Sequence, residues 1–182
     1  MYEDLLEKKL RSENIYDGVL LHVRRDTVTL PNGREAVREW VRHPGASAVL
    51  PVFKDGTVLL VRQYRYPVDR VTLEIPAGKL DSPKEDPLVC AVRELSEETG
   101  YTAKHWEKLT TIGTTVGFSN EYIHIYAAHD LQAGEQHTDD DEFIHVVKMP
   151  LEEAVDRVKS GEIFDAKSVT AILMTAFGKA KH

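Results

Sequence analysis

With 182 residues, 30 acidic against 23 basic side chains and a formal net charge of −7, the chain suffices for one well-buried domain and a small appendage. The acidic balance and the lack of any Lys/Arg block exclude nucleic-acid binding by phosphate neutralisation. The single cysteine, Cys90, excludes an internal disulfide and a cysteine-built zinc site. Met1-Tyr2-Glu3-Asp4 has no signal-peptide core and no run reaches the length of a membrane span, so a cytoplasmic protein without membrane attachment is expected.

In chain order, Val19, Leu21 and Val23 alternate with Leu20, His22 and Arg24, and Thr27-Val28-Thr29-Leu30 runs into Pro31-Asn32-Gly33. The Asn-Gly pair predicts two paired strands over 17–42. Their mixed polarity suits a subunit contact better than a core. Ser47 to Phe53, the Asp55-Gly56 turn and Val58 to Val61 predict a second, far more apolar hairpin at the centre of the sheet. From Pro83 to Gly100 the period becomes helical, with Leu88, Val92, Leu95 and Thr99 as the expected buried stripe. Asp86-Pro87 starts this helix and Gly100 stops it. Strand-like runs follow at 109–116, 122–128 and 143–149, then helices over Leu151 to Lys159 and Ala166 to Phe177. This order predicts an α+β chain, an α/β/α sandwich around a mixed sheet, with a helix and antiparallel β-ribbon at 1–42 and the main domain at 43–182.

The helix at 87–99 carries the chemistry. Glu94, Glu97 and Glu98 share one face at spacings of three and four, and like charges so placed oppose the helix unless a cation sits among them. Arg93 reaches Glu97 at i+4 but cannot neutralise three carboxylates, and all-oxygen ligation suits Mg²⁺ or Mn²⁺. The eight histidines show no zinc-like spacing.

Glu74-Ile75-Pro76-Ala77-Gly78, Glu85, Arg93-Glu94-Leu95, Glu97-Glu98 and Gly100-Tyr101 together resemble the Nudix box. The interval from Gly78 to Glu85 is one residue longer than the usual pattern, an insertion expected to bulge locally without moving the helical glutamates. Leu30-Pro31-Asn32-Gly33, Arg38-Glu39-Trp40-Val41, Val61-Arg62-Gln63-Tyr64-Arg65, Gly117-Phe118-Ser119-Asn120-Glu121 and Asp165-Ala166-Lys167 extend the resemblance to nearly the whole chain. They are most similar to the branch that hydrolyses ADP-ribose and other nucleoside diphosphate sugars.

The resemblance implies a Nudix fold and a Mg²⁺-dependent pyrophosphatase, Mn²⁺ able to substitute, that splits ADP-ribose, or GDP-mannose and related sugars, into a nucleoside monophosphate and a sugar phosphate. It implies metal ligation by the Ala77 carbonyl, Glu94, Glu98 and Glu97, with Glu85 and Arg93 in support. The general base is expected at Glu142, with Asp139, Asp140 and Asp141 as rivals. Substrate contacts are expected from Arg65 at the diphosphate, from Arg38 and Trp40 at the base, and from Glu74 and Glu121 at sugar hydroxyls. The branch also implies a homodimer with exchanged N-terminal ribbons.

Each residue has a plainer alternative. Arg-Glu-x-x-Glu-Glu is ordinarily a solvated, salt-bridged face, and only Glu85, Gly100 and the Glu-Ile-Pro-Ala-Gly lead-in argue otherwise. Arg65 could simply pair with an acid, and Trp40 could be an interface aromatic. Rival activities are hydrolysis of nucleoside triphosphates or dinucleoside polyphosphates, or nucleotide-sugar sensing without cleavage. A sensor has no need of Glu94, Glu97 and Glu98 together.

Overall fold

The Pro31-Asn32-Gly33 turn forms where the sequence puts it, with Gly33 at φ +82° and the Asn32 side chain accepting from the Arg34 amide at 3.1 Å. It joins β2 (His22–Thr29) to β3 (Glu35–Arg42) in antiparallel register, Asp26 opposite Arg38. Where a helix was expected, a short 3₁₀ turn over Glu3–Leu5 is followed by a third strand, β1 (Lys8–Asp17), paired antiparallel with β2. Every residue of β1 is exposed. With no buried face, the strand has no alternation to betray it. The computed structural model describes residues 2–137 and 143–178. They fall into two units, Met1–Pro44 with Gly113–Glu121 and Gly45–Ile112 with Tyr122–His182. In the first unit, 113–121 is tied to β3 by the Val41 amide on the Phe118 carbonyl at 2.7 Å.

The second unit contains β4 (Ala46–Pro51), β5 (Thr57–Arg65), β6 (Arg70–Glu74), β7 (Ala77–Lys79), β8 (Tyr101–Gly113), β9 (Tyr122–Ala133) and β10 (His145–Pro150). One sheet runs β7-β4-β9-β8, with β4 parallel to β9 and antiparallel to β7. The other runs β10-β5-β6 and is antiparallel throughout. The expected β4–β5 hairpin therefore forms only at its turn. Gly56 takes φ +80° and one bridge joins Val52 to Val58, but the strands then enter different sheets. Both are apolar on both faces, so pairing β4 with β7 and β9, and β5 with β6 and β10, buries more than pairing the two with each other.

Alternation along β4 separates two cores. Ala46, Ala48 and Leu50 enter the large cluster with Leu60, Ile75, Ile125 and residues of α2 (Leu151–Lys159) and α3 (Ala166–Phe177). Val49 faces the other way and packs with Leu95 of α1 (Pro87–Thr99) and Ala128. Asp86 caps α1, accepting from the Leu88 amide at 2.8 Å, and Gly100 closes it at φ +73°. The buried residues of α1 are Cys90, Ala91, Glu94, Leu95, Glu98 and Thr99; Val92 is exposed and Leu88 only partly covered. The predicted stripe is thus rotated. Hydrophobicity alone sends glutamates to solvent, whereas here α1 lays its acidic side against β4 and β7. Among the described residues no helix is long and apolar enough to cross a membrane.

Candidate active site

Glu94 and Glu98 are only 8% and 4% exposed, one turn apart on the covered face of α1. Glu98 Oε2 accepts the Ala77 amide at 3.1 Å, which fixes that carboxylate to the start of β7. Glu94 lies on Gly78 so closely that a Cβ built there would come within 1.9–2.4 Å of its carboxylate. Only glycine leaves that cradle open. Arg93 Nη1 donates to Glu94 Oε1 at 2.7 Å and Glu97 Oε2 at 3.1 Å, while Nη2 lies 3.7 Å from Glu85 and 3.8 Å from Asp81. Burial works against the Arg93 charge, but these carboxylates, Glu94 foremost, outweigh it and raise the guanidinium pKa. Arg93 Nε is buried without a hydrogen-bond partner among the described residues.

The longer loop before the helix is absorbed locally. Glu85 Oε2 accepts the Asp81 amide at 2.6 Å and the Glu85 amide donates to the Ser82 carbonyl at 3.1 Å, closing a turn over the extra residue. Cys90, buried beneath Arg93, has its thiol pushed up to about 11, first by burial and then by the Glu94 charge, as suits an inert packing group.

The donor chemistry fits a hard divalent cation. Two buried carboxylates face a glycine gap beside the Ala77 backbone, and a third, Glu97, is within reach of the same guanidinium. In this geometry no group of three His, Cys, Asp or Glu side chains among the described residues is gathered for ligation. Arg93 lies between Glu94 and Glu97, and Glu98 accepts the Ala77 amide. Glu94, Glu98 and Glu97 could hold a cation with Arg93 beside them.

Glu74 is 3% exposed and its four acceptor positions are filled. Oε1 takes Arg65 Nε at 3.0 Å and Thr72 Oγ1 at 2.6 Å; Oε2 takes Arg65 Nη2 at 2.8 Å and Lys167 Nζ at 2.5 Å. Burial pushes the Glu74 carboxyl up, but the hydrogen bonds from Arg65 and the charge of Lys167 outweigh it and hold the group at about 2. Here the expected sugar contact, Glu74, has its acceptors taken by Arg65, Thr72 and Lys167 and stands behind Arg65. Arg65 does pair with an acid, as its plainer reading holds. Its charge also feels Glu98, and the Glu74 bond raises its pKa.

Arg38, Trp40 and Glu121 belong to the first unit. Arg38 and Trp40 share one face of β3. Arg38 Nε donates to Glu7 Oε2 at 3.0 Å and Trp40 Nε1 to Asp26 Oδ2 at 3.0 Å. Glu121 accepts Thr114 Oγ1 at 2.6 Å and lies 3.6 Å from His43 Nδ1. Glu142 and its rivals Asp139 to Asp141 lie outside the described residues.

The sequence reading assigned no role to Lys167, Asp165, Ser168 or Thr72. A signal existed for Lys167: a cation in the first turn of an otherwise apolar helix opposes the helix dipole and calls for acidic partners.

Residues 41–172 match the family profile described as NUDIX domain, and residues 7–41 match that of the nucleoside diphosphate sugar hydrolase N-terminal domain. Over 172 residues the chain is 44% identical to an ADP-ribose pyrophosphatase of Bacillus subtilis (strain 168), covering 93% of this chain and 92% of the relative. Over 168 residues it is 42% identical to a methanol dehydrogenase activator of Bacillus methanolicus, covering 91% and 90%. A solved structure described as an ADP compounds hydrolase superposes with a TM-score of 0.83 at 25% identity, covering 95% of this chain and 94% of the other. Nudix hydrolases generally require a divalent metal. By its matched profile and its relatives, this chain belongs to the Nudix family.

Proposed function

We propose that the protein is a homodimeric, Mg²⁺-dependent pyrophosphatase of nucleoside diphosphate sugars, with ADP-ribose as the first substrate and GDP-mannose as an alternative. The observation that carries this reading is the pair of buried carboxylates, Glu94 and Glu98, laid against Gly78 and Ala77 with Arg65 close enough to sense Glu98. The ADP-ribose pyrophosphatase relative and the N-terminal profile support the substrate class.

In this reading Glu94, Glu98, Glu97 and the Ala77 carbonyl hold Mg²⁺, with Mn²⁺ able to substitute. When bound, the ion neutralises the diphosphate and makes water more acidic. Arg65 presents its guanidinium fork to the phosphates. Arg93 keeps Glu94 and Glu97 oriented, and Glu85 braces the loop ahead of them. Glu142, or one of Asp139 to Asp141, takes the proton from the attacking water, and the bridging P–O bond breaks to leave AMP and ribose 5-phosphate. Trp40 and Arg38 stack on the base and Glu121 accepts from the sugar, with residues 1–42 exchanged between subunits and 43–182 forming the catalytic domain. Exposed Leu10, Ile15, Tyr16, Val19, Leu20 and Leu21 in one short stretch support that exchange. A cytoplasmic location accords with the lone, unpaired Cys90.

The test is turnover of ADP-ribose, GDP-mannose, a diadenosine polyphosphate and an oxidised dGTP, with and without Mg²⁺. Metal-dependent release of AMP from ADP-ribose is expected. Cleavage of only the last two would move the substrate class, and tight ADP-ribose binding without cleavage would make the protein a sensor.

A further inference from the structure

Building on the reading of Arg65 as the diphosphate contact, we infer that Lys167 is a positioning residue, which locks the Glu74 carboxylate so that Glu74 in turn holds the Arg65 guanidinium at one fixed angle. Three observations carry this. First, Lys167 is 7% exposed although it lies in the first turn of α3, and its Nζ bridges Glu74 Oε2 at 2.5 Å and Asp165 Oδ2 at 3.0 Å. A buried ammonium in such a place is tolerated only when its partners are fixed. Second, Glu74 grips Arg65 through Nε and Nη2 in a parallel fork. Arg65 and Lys167 together line a cavity of about 280 Å³ with Val68, Thr72 and Phe164. Third, the same turn of α3 is fastened to the next residue of the chain. Ser168 Oγ donates to Asp165 Oδ2 at 2.6 Å and accepts the Ile75 amide at 2.9 Å.

The segment from Glu74 to Ala77 is therefore held from both sides. Lys167 and Ser168 grip Glu74 and Ile75, while Glu98 grips the Ala77 amide. With Arg65 attached at one end and Glu98 at the other, the start of α3 sets the offset between the phosphate-facing guanidinium and the acidic face of α1. Errors of about an ångström in such an offset cost about 100-fold in rate. The hydrogen bonds of Lys167 go to Glu74 and Asp165, so its contribution passes through Glu74 to Arg65.

A double-mutant cycle on ADP-ribose hydrolysis tests this. In the native background Lys167→Met should lower kcat/KM by about tenfold or more, and in an Arg65→Met background by less than about twofold. Lys167→Arg, which can still bridge two carboxylates, should recover most of the loss. Equal losses in both backgrounds, or no rescue by arginine, would overturn the inference. Should Lys167→Met not fold, Glu74→Gln, which weakens the same link without a change of volume, is read in the same cycle with the same two outcomes. If Arg65→Met leaves kcat/KM unchanged in a protein that cleaves ADP-ribose, the inference fails and the proposed hydrolysis stands. If the native protein does not cleave ADP-ribose, the cycle is read by ADP-ribose affinity, and additive losses there again overturn it.

Discussion

Replacing Gly78 by alanine should separate activity from stability. Gly78 has no left-handed backbone requirement, so alanine fits its φ and ψ. The added methyl would sit 1.9 Å from Glu94 Oε1 and 2.4 Å from Oε2. Ordinary contact begins at 3.4 Å, so the carboxylate must withdraw by about an ångström or more. The group that moves is the end of a flexible side chain, and the fold should lose about 1 kcal/mol or less, a melting shift of roughly 2–4 °C at this size. A divalent ion tolerates only about ±0.2 Å in its ligand distances. Losing Glu94 as a ligand should therefore cost about 100-fold in turnover, or about 3 kcal/mol of transition-state stabilisation. The assay is a Mg²⁺ titration of ADP-ribose turnover beside a calorimetric melt. Gly78→Ala with native turnover and an unchanged Mg²⁺ midpoint would refute the placement of Glu94 at the metal. A melting temperature lower by tens of degrees would show that the glycine serves the fold instead.

Glu98→Gln keeps volume and can still accept the Ala77 amide, so kcat should fall by about 100-fold or more with little change in melting; near-native kcat would remove Glu98 from the metal. Gly100→Ala faces both φ +73° and backbone atoms of Glu135 and Gln136 at 2.9 and 2.8 Å from the new Cβ, so about 2–4 kcal/mol of stability should be lost in a urea melt. The Glu74 carboxyl, held at about 2 in the fold against 4.5 for the free group, binds protons less readily folded than unfolded. Its contribution, on the order of 3 kcal/mol, is complete above the unfolded value and fades as pH falls toward the folded one. Glu74→Gln should flatten the stability profile across that interval, and parallel profiles would contradict the saturated carboxylate. Ile15→Lys with Tyr16→Lys on β1 should yield monomers by ultracentrifugation; a native protein that sediments as a monomer would reject the exchanged ribbon.

Where local rules determine the outcome, the sequence suffices. Asp86, Pro87 and Gly100 mark the limits of α1 to the residue, Gly33 and Gly56 mark two turns, and α2 and α3 appear over their periodic segments. Pairing was less legible. Nothing in Val58 to Val61 says that β5 joins β6 and β10 instead of β4, because strands apolar on both faces carry no preference of partner. β1 was missed since none of its faces is buried. At the site, the carboxylates of α1 follow from spacing, but their burial does not. It depends on the approach of β7, where Gly78 lacks a side chain to stand in Glu94's way. The surroundings of Glu74 are illegible for a related reason: a buried acid is understood only through its partners, and Lys167 is distant in sequence.

The parallel pairing of β4 with β9 sets Ala46 beside Ile123 and Pro51 beside Ala128, with α1 encoded wholly between them. A growing chain that has made α1 already holds β4 and β7, against which the acidic side lies, but has not yet made β9, which completes the sheet beneath the helix. Closure across so long an intervening stretch is slow on the scale of helix formation. During synthesis the helix that bears Glu94 and Glu98 rests on an unfinished sheet.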